Sequence, residues 1–322
     1  MRMFRRILAL CIVVLILASP LVIWKNHYAI SDWWRLQNYI APAEIEKIAD
    51  KTSMSSYGRQ LFYVNRPNLD RKNAFNSDCS FPEATIVLGC YVPSRGIFIL
   101  RVTDPRLNGI QEVTAAHEML HAAYERLEDE EKDNINNLLQ TEFTKVTDER
   151  VIKTIDGYRA RDPGVVNNEL HSILATEVRD IGPELHEYYN KYFIDRSQVV
   201  HLSAQYEQVF TDIKNRVDAY DAQLLQLKNQ IERSQNELDT EFKHLQADRD
   251  ALTEMADNEE FDAYNASVPE YNSNVRSYNA NLNDLQQQIE RYNALVTERN
   301  SVALEQRQLV QAIDSKALPQ AP

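Results

Sequence analysis

Thr114-Ala-Ala-His-Glu-Met-Leu-His-Ala-Ala123 is the stretch that decides how this chain reads. Within it, His117-Glu118-x-x-His121 lies in a run, 110–127, that holds no Pro or Gly. Its neighbours Ala115, Ala116, Met119, Leu120, Ala122 and Ala123 are small or apolar, which predicts a buried helix. Residues four apart on a helix share a face, so both imidazoles can grip a single zinc ion. Glu118 stands beside them, where a carboxylate can activate the attacking water. Burying three ionisable groups on an apolar helix is costly without a metal or partner. That cost favours the metal reading over a core helix that happens to carry them.

A catalytic zinc generally takes three protein ligands and keeps one position open. Downstream, Asn168-Glu169-Leu-His171-Ser172-Ile-Leu-Ala-Thr-Glu177 offers Glu169, His171 and Glu177. The His-Glu-x-x-His motif followed about fifty residues later by Asn-Glu-x-x-small resembles the gluzincin class of zinc metallopeptidases, over roughly residues 85 to 180. The resemblance implies that the third ligand is a glutamate on the helix after the active-site helix, three residues ahead of a small residue. Glu169 with Ser172 matches. Ile173 stands where an acidic residue is often found, so Glu177 stays open as the alternative, and His171 should point elsewhere. The class also pairs peptide substrates with an edge strand, which here would be residues 96–102. Some members carry a donor tyrosine ahead of the third ligand, which would be Tyr158 in the loop Asp156-Gly-Tyr-Arg; His186, Tyr188 and Tyr189 are further donors in the region. In those roles Glu118 takes the proton of water and later delivers it to the leaving amine.

The fold class expected around this site is α+β: a small zincin-like module with a short sheet, an N-terminal membrane helix and a C-terminal helical hairpin. Residues 43–50 read as a helix and 60–64 as a strand. Residues 85–92 and 96–102 are β-rich runs joined by Pro93-Ser-Arg, a hairpin signal. Helices are expected over about 164–179 and 183–193, with Pro183 in the first turn of the latter. Cys79 and Cys90 flank a short segment with Pro82 in it and can pair as a disulfide in an oxidising compartment.

The N-terminus reads Met1-Arg-Met-Phe-Arg-Arg6, followed by eighteen uncharged residues, 7–24. That length fits a membrane span, and the arginines before it favour a cytoplasmic start. A cleaved signal peptide is the rival reading, but Leu17-Ala-Ser-Pro20 is a poor cleavage site. Cys11 follows a leucine where a lipoprotein signal needs a small residue. The bulk of the chain is therefore expected outside the cytoplasm, in a bacterial cell envelope.

Glycine marks the next boundary. All seven glycines lie between Gly58 and Gly182, and beyond them the chain turns to Gln, Asn, Glu, Asp, Leu and Tyr. Three regions follow: 1–29 as stub and anchor, 30–198 as the metallopeptidase module, and 199–322 as a hairpin with arms at about 199–257 and 268–316. One arm carries Phe210, Val217, Leu224, Ile231, Leu238, Leu245 and Leu252 at seven-residue spacing, with Tyr206, Ile213, Tyr220 and Leu227 beside them. The other carries Val275, Leu282, Ile289 and Val296, with Tyr271, Tyr278, Leu285 and Tyr292 beside them. Sustained heptads with polar flanks are the coiled-coil pattern. Asp257-Asn-Glu-Glu and Val268-Pro269 would separate the arms, each about 75 Å long.

Residues 199–316 hold 11 basic and 21 acidic side chains, −10 of the chain's −13. Such a surface argues against nucleic acid or anionic lipid as its partner. The expected function is a membrane-anchored zinc endopeptidase acting on peptide or protein outside the cytoplasm, its hairpin positioning it, recruiting a protein partner or gating the site. Two alternatives remain: an inactive envelope scaffold working through the coiled coil, and a hydrolase of cell-wall peptides.

Overall fold

The computed structural model describes residues 26–79 and 86–316. In order these form α1 (His27–Leu36), α2 (Ala43–Lys51), α3 (Ser56–Val64), β1 (Asn68–Asp70), α4 (Lys72–Asp78), β2 (Gly89–Val92), β3 (Gly96–Leu100), α5 (Ile110–Glu125), α6 (Asp129–Phe143), α7 (Glu149–Arg161), α8 (Val166–Thr176), α9 (Pro183–Tyr189), α10 (Arg196–Asp257) and α11 (Phe261–Ile313). The protein is thus mostly helical with one small sheet, an α+β arrangement. Among the described residues no helix is long and apolar enough to cross a membrane. The expected span, 7–24, lies outside the described residues.

Contacts divide the chain into two compact units, 1–208 with 309–322, and 209–308. The first unit is larger than the sequence boundary at 198 suggests. It keeps the first turns of α10 and takes back the chain's end: Lys72 donates to the Gln311 carbonyl at 2.6 Å and Asn76 to that of Ser315 at 2.8 Å. Leu309 is fully buried there.

The sheet of the first unit has the order β1-β3-β2. β1 runs parallel to β3, with Leu69 opposite Ile99; β2 runs antiparallel, with Cys90 opposite Phe98. β3 is therefore the central strand and buried along its whole length. That corrects the expectation of 96–102 as a substrate-binding edge, because both of its backbone edges are already paired. The strand expected over 85–92 is confined among the described residues to Gly89–Val92.

Two further expectations are overturned. Residues 60–64 are helical, not a strand. Ser55 caps α3 by accepting the Gly58 amide, and Leu61, Phe62 and Val64 are fully buried. Core burial outweighs the strand preference of Phe, Tyr and Val. Tyr158 is not in a loop either; it lies in α7, whose start is fixed by Asp148 accepting the Arg150 and Val151 amides.

Cys79, at the end of α4, and Cys90, on β2, are disulfide-bonded with Cα atoms 6.0 Å apart. Both are buried. Under denaturing, non-reducing conditions only Cys11 should react with an alkylating reagent, rising to all three cysteines after reduction. Three reactive thiols before reduction would refute the bridge.

Helix α5 is the spine of the first unit and packs against α8, β2, β3, α2 and α3. Its buried face includes Val113, Ala116, Met119, Leu120 and Ala123. The end of α8 is closed by Arg196, itself buried, whose guanidinium donates to the carbonyls of Leu174, Ala175 and Val178. A cation on the last carbonyls of a helix satisfies acceptors that have no partner within the helix.

In the second unit α10 and α11 pair antiparallel. Ser234 meets Gln288, Glu241 meets Asn281 and Asp248 meets Asn274, each step advancing seven residues on one helix and retreating seven on the other. Arg299–Asp221 and Arg216–Glu305 ion pairs continue the same alignment. Ile213, Leu227, Leu238 and Leu252 are buried on one helix, Leu285 and Val302 on the other. The long helices are consistent with the coiled-coil reading. The turn is tighter than expected: α10 ends at Asp257, Glu259 takes a left-handed φ of 61°, and α11 already begins at Phe261. Pro269 lies inside α11 instead of starting it.

Candidate metal centre

His117 and His121 sit one turn apart on α5, their rings edge-to-face with centroids 4.7 Å apart. Packing of α8 against α5 brings Glu169 between them. Glu169 Oε2 lies 3.6 Å from His117 Nε2, and Oε1 lies 3.8 Å from His121 Nε2. One ligand atom from each of the three residues falls within 4.8 Å of the others. These separations are too long for direct hydrogen bonds. They are close to the roughly 3.3 Å edge of a tetrahedron with zinc–ligand bonds of about 2.0–2.1 Å. Glu169 Oε2 is buried without a hydrogen-bond partner. A buried carboxylate oxygen left in that condition is costly, and a cation among the three side chains removes the cost. The donor set, two imidazoles and one carboxylate, suits zinc.

Burial alone would push the Glu169 carboxyl up, but His117, His121 and the Tyr158 hydroxyl outweigh it and hold the group below its usual range. The carboxylate is therefore ionised, as a ligand must be.

The next layer orients these donors. His121 Nδ1 lies 3.0 Å from Asn168 Oδ1 and 3.3 Å from Ser172 Oγ. A proton on Nδ1 donated to Asn168 leaves Nε2 free to face the cluster. One turn of α8 thus supplies Glu169 to the cluster and Asn168 with Ser172 to the ring of His121. The sequence reading used Asn168 only as part of a pattern and gave it no role; its spacing from Glu169 was the available signal.

Glu118 is buried, at 6% exposure, and lines the same cleft as the three candidate ligands. Its position explains Gly89. A Cβ at residue 89 would lie 2.5 Å from Thr114 Cγ2 and 2.9 Å from Glu118 Cγ and Oε1. Only glycine lets β2 run this close to α5 without displacing Glu118. Nothing in the sequence alone marked Gly89 as part of the site.

The cleft has a volume of about 720 Å³. One wall is residues 86–91, including β2, an edge strand whose outer side has no strand partner among the described residues. The other carries Tyr158, Asn168, Glu169, Ile173, Glu177 and Tyr206. Glu177 is not brought to the histidines. It accepts from Arg150 Nη1 at 2.6 Å, and Arg150 also reaches Glu207 at 3.4 Å. Burial would lower the Arg150 guanidinium, but the two glutamates hold it above its ordinary value. Burial pushes the Glu207 carboxyl up, beyond what Arg150 can offset.

The remaining donors lie elsewhere. His171 is fully buried, its Nε2 2.9 Å from the Tyr188 hydroxyl. Burial, reinforced by His121 and His117, pushes this imidazole down to about 3, so it is neutral. The Tyr189 hydroxyl donates to the His171 carbonyl at 2.8 Å. His186 lines a separate cavity with Arg179, Arg196 and His201. Of the sequence candidates, the cleft gathers His117, Glu118, His121, Tyr158, Glu169 and Glu177, and leaves out His171, His186, Tyr188 and Tyr189. Compared with known proteins, the chain matches no family model, no curated sequence and no solved structure.

Proposed function

We propose that the protein is a zinc-dependent endopeptidase of gluzincin type, with a zincin-like module, anchored in a membrane through residues 7–24 and acting outside the cytoplasm. The observation that carries this reading is the convergence of His117, His121 and Glu169 within 4.8 Å beside a buried Glu118 in one cleft. His117, His121 and Glu169 would hold one zinc ion. When bound, zinc supplies Lewis acidity toward water and the scissile carbonyl.

The chain's own residues supply the rest. An extended peptide adds to the free side of β2 as an antiparallel or parallel strand, held by backbone hydrogen bonds. Glu118 accepts a proton from the attacking water at its carboxylate and passes it to the leaving amine. The Tyr158 hydroxyl, on the facing wall, donates to the oxyanion. The hairpin of α10 and α11 binds a protein partner; its acidic surface excludes nucleic acid. A scaffold without catalysis would have no use for Glu118 at the cleft, which favours the enzyme. Cell-wall peptides are the alternative substrate within the same chemistry.

Elemental analysis of the metal-replete full chain should find about one zinc per molecule. Glu169→Gln should weaken zinc binding in chelator competition by more than the ~10–100-fold typical of an outer-shell partner such as Asn168. Loss of zinc in Glu177→Gln with retention in Glu169→Gln would reject the ligand assignment.

A further inference from the structure

Helix α1 is amphipathic in the wrong sense for a water-facing surface. Ile30, Trp33 and Trp34 fall on one face and are 43%, 58% and 66% exposed. Ile40, just beyond the helix, is exposed as well. The opposite face turns a carboxylate inward. Asp32 is buried, pairs with both terminal nitrogens of Arg126 at 2.7 and 2.9 Å, and accepts from Gln60 at 3.1 Å. Tyr28 lies under the Arg126 guanidinium at 4.6 Å. Large aromatic side chains held out by a buried ion pair are not a folding accident; an exposed apolar face of this kind marks an interaction site.

Where the helix stands in the chain identifies the occupant. The uncharged run 7–24 ends at Trp24, three residues before α1 begins. A helix leaving a span at this point starts at the level of the lipid headgroups, where Trp and Tyr are favoured because an apolar ring and a polar N–H or O–H meet both environments. We infer that α1 lies flat in the membrane interface, with Ile30, Trp33 and Trp34 seated in the lipid and Asp32 holding the helix to the module. The inference rests on reading 7–24 as a span and is independent of the metal chemistry. Arg126 is the capping residue at the end of α5, so the Asp32–Arg126 pair ties the lipid-seated helix to the helix that carries His117, Glu118 and His121. The cleft is thereby held at one attitude to the bilayer. With a chain charge of −13, adsorption is driven by the apolar face, so neutral lipid suffices.

The chain has three tryptophans, Trp24, Trp33 and Trp34. In Trp24→Phe, fluorescence reports on α1 alone; in Trp33→Phe/Trp34→Phe, it reports on the apolar run alone. Both full-length variants are reconstituted into neutral phosphatidylcholine vesicles brominated either near the headgroup or near the chain ends. Trp33 and Trp34 should be quenched more by the shallow bromines and protected from acrylamide in the water. Quenching of Trp24 with Trp33 and Trp34 open to acrylamide would overturn the inference and leave the anchor standing. Quenching of neither set would overturn both. Shielding of Trp33 and Trp34 from acrylamide and bromine alike would show protein on this face and overturn the inference as well.

Discussion

Glu118→Gln should retain fold and zinc while peptide hydrolysis falls by about 10²–10⁴-fold, the usual contribution of a positioned acid–base group. The substitution is close to isosteric, so the tight approach of β2 to α5 at Gly89 is preserved and packing stays intact. Glutamine cannot take a proton from water at neutral pH. The loss should therefore appear in kcat and kcat/KM equally, because the group acts in the transition state and not in binding the peptide. Zinc content, measured on the same preparation, separates this outcome from damage to the site. Unchanged hydrolysis in Glu118→Gln would remove the assigned base and, with it, the distinction between enzyme and scaffold.

The second large effect is on stability. Asp32→Ala leaves the partly buried Arg126 guanidinium without its carboxylate, and breaking a buried pair from one side costs about 3–5 kcal/mol. At about 2–4 °C of melting temperature per kcal/mol for a unit of this size, the midpoint should fall by roughly 6–20 °C. Replacing both partners, Asp32→Ala with Arg126→Leu, should recover much of that loss, because no unpaired charge is left behind. A single variant that melts with the parent would show that Arg126 finds other acceptors and that α1 is held by its remaining contacts.

Part of the site could be read directly from spacing. A spacing of four between the histidines on an unbroken helix puts His117 and His121 on one face, and seven-residue repeats announce the long helices. Both are local periodicities that follow from backbone geometry alone. Choosing Glu169 over Glu177 was of another kind. Each is an acidic residue on the same segment, and the difference is made by Arg150, which takes Glu177 from 27 positions away. The Asp32–Arg126 pair bridges 94 positions and leaves no local trace. The strand wrongly expected over 60–64 failed because the aromatic and branched residues that favour strands pack equally well on a helix once Leu61 and Phe62 are buried. The misplaced edge strand failed because 85–92 and 96–102 look alike in sequence, and only the arrival of β1 beside β3 decides which of them is central.

A heptad seam by itself repeats every seven residues and would accept several alignments. The polar rungs Ser234–Gln288, Glu241–Asn281 and Asp248–Asn274 remove that degeneracy. Sliding by one repeat sets Leu227 against Gln288 in one direction and Met255 against Asn274 in the other, so each slide costs the ladder one of its three polar contacts. The rungs thus favour one alignment over its neighbours. They are indifferent, however, to which molecule supplies the opposing arm, since a second copy carries the same residues. That choice falls to the short turn 258–260, which presents α11 to its own α10 at a local concentration far above that of any neighbour. Lengthening this turn would leave the register untouched and shift the balance toward exchanged dimers.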